Sequence, residues 1–316
     1  MKLQNRIDYK QIFNKYNLLE YFAFANIGND GGIYISSSGD IRNKYKRENK
    51  IVHISVDWNS GAVENVELLD FSRNFDLVYS AQPIDDKYYV CGKLLMPSKD
   101  TIENFFLAYV VDKNGNVIRE VKNSGLLDSK NRAVTGYFDE QIYDGTERYI
   151  NGLYMYDDHG NTLWENKTYN IANCYYLDID DKDNIWFYPD NKLVKVDTNN
   201  NFEYSYYDVG LVFSEGFLLN KSQSKAIFKQ KCYDGYSFFS GNEFVMTEFD
   251  DTKFERASKD IKWGVGDVTP FEGAFKNHQP CIFTYDDKHI EVKGFCFRNS
   301  KAVLWDYQWL YYFEWE

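Results

Sequence analysis

The sequence predicts an all-β chain built from repeated four-stranded antiparallel units, and three observations carry that prediction. A short phrase keeps returning, in which an apolar stretch meets Asp, a few turn residues, Gly or Asn, and apolar residues again. Tyr, Phe and Trp number 27, 24 and 7 among the 316 residues, and aromatic side chains suit a pleated, half-buried surface. The chain also ends on aromatic residues at strict period two, from Trp305 through Tyr307, Trp309, Tyr311 and Phe313 to Trp315. That alternation is expected of a strand with one buried face.

The N-terminal segment is the exception. Residues Tyr9 to Leu19 carry apolar side chains at spacings of three and four, which reads as a short helix. The same segment is also a candidate for the outer strand that closes the architecture by pairing with the last unit, since an open sheet edge invites aggregation.

The recurring phrase follows in order. It stands at Asp57–Val63, Asp112–Ile118, Asp157–Trp164 and Asp197–Phe202, and more worn at Asp250–Phe254 and Asp286–Ile290. A second hairpin turn precedes most copies, at Asn29–Gly32, Asp85–Lys87, Asp180–Asn184, Asn220–Lys225 and Asn299–Lys301. Asn, Asp and Gly favour such turns because they tolerate positive φ or bond their own backbone. Two hairpins make four strands, and residues 174–207 show the unit most plainly. The repeated Asp residues stand 36 to 55 positions apart, around the 40–50 residues of a typical propeller blade. Six repeats plus a partial unit at 291–316 give a β-propeller of seven blades if the N-terminus completes the last one, with six as the alternative. Residues 1–316 are then one domain.

Leu177-Asp-Ile-Asp-Asp-Lys-Asp-Asn-Ile-Trp-Phe187, with Leu193 to Asp197, resembles the sensor-type propeller repeat, whose blades read Asp-x-x-Gly-Asn-Ile-Trp before a further strand. Tyr156 to Glu165 is similar to quinoprotein-like repeats, and Asp112 to Glu120 is a degenerate copy with Arg119 at the Trp position. The resemblance to the β-propeller repeat superfamily covers most of the chain. It implies the fold and not an activity, because one architecture hosts many functions.

Charge and motifs then exclude function classes. The net charge of −12 opposes phosphate backbones and anionic lipid, so neither nucleic acid nor membrane is an expected partner. No apolar run is long enough to span a bilayer, and Met1 to Lys10 does not read as a secretory signal. Cys91, Cys174, Cys232, Cys281 and Cys296 are odd in number, scattered and apolar in context, as expected of reduced thiols in a cytoplasmic protein. Asp178, Asp180, Asp181, Asp183 and Asn184 form a dense carboxylate cluster. Lys182 interrupts it and no Gly or closing Glu follows in register, so it reads as a hairpin turn and not a Ca²⁺ loop. Asp158 to Trp164 approaches the Asp-box turn of sialidase-like propellers without its Ser. His53, His159, His278 and His289 show no metal-ligand pairing, and no nucleophile elbow or phosphate-binding loop is present. No metal and no cofactor are expected.

One run departs from the acidic background. Arg42, Lys44, Lys46 and Arg47, with Lys50, place five positive charges within nine positions. Such a patch is a candidate docking site for an acidic protein partner. The sequence therefore predicts a non-enzymatic binding scaffold. The alternative is a propeller enzyme acting on a sugar or lactone through carboxylates at the central channel.

Overall fold

A computed structural model describes residues 1–19, 21–38, 47–95, 108–121, 124–137, 152–167, 171, 174, 176–189, 192–209, 214–233, 238–248, 255–256 and 279–316. Among the described residues seven sheets follow one another along the chain, and the architecture is an all-β propeller. Sheet 1 contains Tyr21–Ile27, Ile33–Ser38, Arg47–Asp57 and Ala62–Asp70, and sheet 2 contains Phe75–Ile84, Lys87–Leu94, Ala108–Val111 and Val117–Val121. Sheet 3 runs through Leu126–Leu127, Ala133–Gly136, Leu153–Tyr156 and Thr162–Glu165. Sheet 4 holds Leu177–Ile179, Ile185–Phe187, Lys192–Asp197 and Glu203–Asp208, with Glu255–Arg256 added at its outer edge. Sheet 5 holds Ser214–Leu219, Lys225–Tyr233, Phe238–Glu248 and Gln279–Cys281.

Sheet 6 is smaller. The hairpin Thr284–Tyr285 and Lys288–His289 takes Lys2–Leu3 as a parallel third strand. Its two turn residues, Asp286 and Asp287, have φ of 49° and 60°, the conformation a tight two-residue hairpin needs at both central positions. Sheet 7 contains Gly294–Arg298, Lys301–Trp305 and Trp309–Glu314 and is completed by Asn5–Asp8, which pairs antiparallel with Trp309–Tyr312. Asp8 then caps a helix at Tyr9–Lys15, accepting from the backbone N–H of Lys10 and Gln11 at 3.0 and 3.2 Å.

The first strands of neighbouring sheets lie beside one another: Tyr21–Ile27 beside Phe75–Ile84 and Gly294–Arg298, and Ser214–Leu219 beside Gly294–Arg298. These are the inner strands, and the core is a series of apolar layers between sheets. One layer packs Val134, Leu153 and Met155 against Ile179, Ile185 and Val194. Another sets Phe244 and Phe283 against Phe297 and Leu304. Burial of large side chains of this kind is worth about 1.5–3 kcal/mol each.

The repeated phrase is explained by its turn. Asp112 Oδ1 accepts from the N–H of Asn114 and Asn116, while Oδ2 accepts from Asn116 Nδ2. Asp157 does the same with His159 and Asn161, and Asp180 with Lys182 and Asn184. Gly115 and Gly160 adopt φ of 76° and 82°, which an L side chain resists. A Cβ on Gly115 would also stand 2.8 Å from the carbonyl oxygen of Asp70.

The aromatic run at the C-terminus is not one strand. Trp305 ends one strand and Trp309 begins the next, with Asp306 turning the chain by accepting from the N–H of Gln308 and Trp309 at 2.8 and 2.7 Å. Tyr307, in that turn, is 64% exposed, whereas Leu310, Tyr311 and Tyr312 are all buried. Period two across a tight turn imitates a longer strand.

Candidate functional site: the axial mouth

The turns joining the first and second strands of sheets 1–5 and 7 gather around the axis at one end. Each has a residue at positive φ in the same place: Gly31, Asp85, Asn131, Asp183, Gln223 and Asn299. Asn and Asp occupy four of these six positions because their short polar side chains tolerate the left-handed region. The turns bond to one another. Asn131 Nδ2 donates to Asp85 Oδ1 at 3.0 Å, Ser129 N–H to Asp183 Oδ1 at 2.9 Å, and Gln223 Nε2 to Asp180 Oδ2 at 2.7 Å.

Beneath this collar the axis is filled. Arg298, from the inner strand of sheet 7, is 8% exposed. Its Nη1 donates to the carbonyl of Ile27 at 3.3 Å and to Gln82 Oε1 at 2.9 Å, and its Nη2 donates to the carbonyl of Leu127. Gln82 in turn donates to the carbonyl of Gly125 and accepts from the N–H of Leu127. Tyr176 donates its hydroxyl to the carbonyl of Phe297 at 2.8 Å. Sheets 1, 2, 3 and 7 are thus tied at one guanidinium, whose five fixed donors suit such a fork.

Asp178 lies beside this plug, buried, its carboxylate accepting from the N–H of Ile179 at 2.7 Å and of Asn299 at 2.6 Å. Burial pushes its pKa up to about 7, against the pull of the Arg298 charge and the two backbone N–H groups. Burial likewise disfavours the charged form of Arg298, and Asp178 counters it.

Above the plug is a cavity of about 120 Å³ lined by residues of sheets 1, 3, 4 and 7, among them Asn29, Ser129, Asp181, Asn299 and Lys301. The dense cluster read in the sequence splits here. Asp180 is spent on its turn, on Trp186 Nε1 and on Gln223, and Asp183 on Ser129, so both hold structure together. Asp178 sits below the cavity and Asp181 on its exposed lip. No group of three or more His, Cys, Asp or Glu among the described residues is arranged to hold a metal ion.

Of the basic run, Arg42, Lys44 and Lys46 lie outside the described residues, and Arg47 opens the third strand of sheet 1 with its side chain outside them too. The flanking strands pair at Ser38 and Arg47, at the end of the sheet opposite the turn collar. Sequence reasoning missed Arg298 and Gln82. The available signal was a lone Arg directly before a predicted turn in an acidic chain, which marks no partner. Cys91, Cys174, Cys281 and Cys296 are unpaired thiols, and burial raises the pKa of each, to about 12 for Cys174 and Cys296. No helix among the described residues is long and apolar enough to cross a membrane.

No protein-family model matches the chain, and no curated protein matches it. Among solved structures it is similar to a chain of the mitotic checkpoint complex, at 7% identity and a TM-score of 0.46, over 94% of this chain and 75% of that one. It is also similar to virginiamycin B lyase from Staphylococcus aureus, at 13% identity and a TM-score of 0.44, over 92% of this chain and 79% of the other.

Proposed function

We propose that residues 1–316 form one propeller domain that works as a non-enzymatic binding scaffold for a protein partner. The observation that carries this reading is the filled axis. A propeller enzyme acting at its channel needs a pocket where acid and base can reach a substrate. Here Arg298, Gln82, Tyr176 and Asp178 occupy that space, and Asp180 and Asp183 are committed to turns. The alternative, a sugar or lactone enzyme using channel carboxylates, would rest on Asp178 with its raised pKa. That carboxylate is 1% exposed and already accepts two backbone N–H groups.

The scaffold reading assigns the basic run Arg42, Lys44, Lys46 and Arg47 to an acidic partner, because a local positive field in an acidic chain steers association. The test is affinity capture from native lysate with the tagged chain as bait, beside a variant carrying Arg42→Glu, Lys44→Glu, Lys46→Glu and Arg47→Glu. A stoichiometric protein partner that the variant fails to capture is the expected result. A small molecule co-purifying in place of any protein would overturn the reading in favour of the enzymatic one.

A further inference from the structure

The N-terminal strand leaves its partner partway along sheet 7. Asn5 pairs with Tyr312, and beyond that pair the two segments part. Lys2 and Leu3 cross to sheet 6 and pair with Thr284 and Tyr285. Phe313 and Glu314 run on with Ala302 and Lys301 on one side only. The result is a fork that holds a cavity of about 310 Å³. Lys2, Leu3 and Gln4 line one arm, Phe313 to Glu316 the other, and Trp58 and Asn59 of sheet 1 complete the wall.

Both arms offer backbone. Along an antiparallel pair, successive residues bond to opposite sides. The N–H of Trp315 donates to the carbonyl of Ser300 at 2.8 Å, so Glu314 turns its own N–H and C=O to the side of the fork. The carbonyl of Met1 accepts from the N–H of Thr284 at 2.9 Å, which turns those of Lys2 away from sheet 6. Among the described residues sheet 6 has three strands where the others have four or five. The chain already carries a short added strand at one rim, where Glu255–Arg256 pairs with Ser205 and Tyr206 on the outer edge of sheet 4.

The walls are fixed in advance. Trp58 donates its Nε1 to the carbonyl of Gly31 at 2.8 Å and stands edge-on to Tyr312. Tyr312 donates its hydroxyl to the carbonyl of Gly61 at 2.7 Å, which holds the Asp57–Gly61 turn against the base of the fork. The charges are closed among themselves: Lys2 with Asp287 at 2.8 Å, Glu314 with Lys221 at 3.0 Å, and Glu316 with the same lysine at 2.6 Å. What remains is two indoles, the ring of Phe313, and the exposed amides of Gln4 and Asn59. An occupant that answers this lining is extended and uncharged, with a large apolar side chain. Open strand edges beside preformed side-chain pockets are what strand-addition recognition uses.

We propose that the fork binds an extended, uncharged segment of a protein partner as an added strand. Its backbone bonds to the N–H and C=O of Glu314, and a large apolar side chain packs on Trp58 and Trp315. This rests on the reading of the chain as a protein-binding scaffold and gives it a second contact. Arg47 begins and Asp57 ends one strand of sheet 1, so the fork and the basic run lie at opposite ends of that sheet.

The probe is a phage-displayed library of random nonapeptides, panned on the full chain immobilised through a long flexible linker. Enriched peptides should be uncharged with one large apolar residue. They should bind Trp315→Ala about tenfold or more weakly, the loss of an aromatic anchor. Asn59→Ala, at an exposed turn, should weaken the same peptides with the fold intact. In NMR hydrogen exchange the Glu314 amide should exchange fast in the free chain and about tenfold or more slowly with peptide bound, which a purely structural role for Trp315 does not produce. No enrichment, binding unchanged in both variants, or a Glu314 amide that peptide does not slow would overturn the proposal. So would an amide already slow in the free chain. Slowing that grows with protein concentration would assign the fork to a second copy, and slowing independent of it to a segment of the same chain. The basic-run variant should bind the peptides as the native chain does. Peptide binding lost with partner capture retained, or the reverse, then tells the two contacts apart.

Discussion

Arg298 donates to Gln82 Oε1 at 2.9 Å across 216 positions of sequence, and that contact joins the last sheet of the propeller to the second. The same guanidinium reaches the carbonyls of Ile27 and Leu127, so one side chain does at the axis what no apolar residue could do there. Inner strands converge where side chains are few and backbone polar groups many, and each buried carbonyl needs a donor.

Arg298→Met should therefore be among the most damaging single changes in the chain. It removes three donated hydrogen bonds and leaves Asp178 buried without its countercharge, a loss of about 3–5 kcal/mol. Gln82→Leu keeps the guanidinium and should cost less, about 1–3 kcal/mol. Urea unfolding of the two variants beside the native chain checks the order. Equal, small losses would mean that the axis is solvated and not tied.

His53 predicts the pH dependence of stability. Its Nδ1 lies 2.8 Å from Glu67 Oε1 and its Nε2 3.5 Å from Asp30 Oδ2, with the ring stacked on Tyr34 at 4.5 Å. Burial lowers its pKa, but the two carboxylates outweigh burial and hold it above the ordinary value. A raised folded pKa stabilises fully below the unfolded value near 6.5 and loses that contribution as pH rises through the folded one. Burial raises the pKa of Asp30, but His53, the Gly32 N–H and Tyr34 outweigh it and hold that pKa below its ordinary value. That contribution is present above about 3.9 and is lost as pH falls through the folded pKa. The His53–Asp30 pair should contribute fully between about 4 and about 6.5. That comes on top of a decline with rising pH across that window from Asp178, whose folded pKa of about 7 lies above its unfolded value. His53→Gln should flatten the part of the alkaline limb above about 6.5. An alkaline limb of the same steepness in the variant would assign it elsewhere.

The repeated turn Asp residues should rank by how much they serve. Asp157→Ala removes three acceptor contacts at an exposed turn, worth about 1 kcal/mol. Asp180→Ala removes those same three plus Trp186 Nε1 and Gln223 Nε2 at a buried one, and about 3 kcal/mol is expected. Thermal unfolding of the pair decides. Equal losses would mean the cross-turn bonds to Gln223 and Trp186 contribute nothing.

These cases show what was legible in the sequence. The sheets were, because each turn announces itself locally through Asp, Asn or Gly at a position that must take positive φ or bond its own backbone. The apparent strand of residues 305–315 failed for the same reason in reverse. Asp306 is such a turn residue, but it sat inside an aromatic alternation that spoke louder. The axial plug was not legible, since the partners of Arg298 lie 171 to 271 positions away and nothing in Phe297-Arg298-Asn299 separates it from a surface Arg. The unpartnered Asn29 Oδ1 and Asn299 Nδ2 were hidden for a related reason: each residue was read, correctly, as a turn residue, and which atoms a turn leaves unsatisfied depends on the neighbouring turns.

The closing strand Asn5–Asp8 gives the last prediction. Its pairing with Trp309–Tyr312 covers what would otherwise be an exposed sheet edge, and an open edge of that kind recruits other chains. Arg6 reinforces the closure, its guanidinium 4.3 Å from the ring centre of Tyr285 and 3.9 Å from that of Trp309. Arg6→Ala should cost about 0.5–2 kcal/mol, the range of a cation–π contact, with the association state of the native chain unchanged. Removing residues 1–8 should do something different in kind. It uncovers the edge of Trp309–Glu314 and strips Leu3 from the layer between sheets 5 and 7, so self-association and a broadened unfolding transition are expected. Sedimentation velocity across a concentration series separates the two outcomes. A truncated chain that sediments as the native one does, with a sharp transition, would mean that the three strands of sheet 7 close the propeller without the N-terminal one.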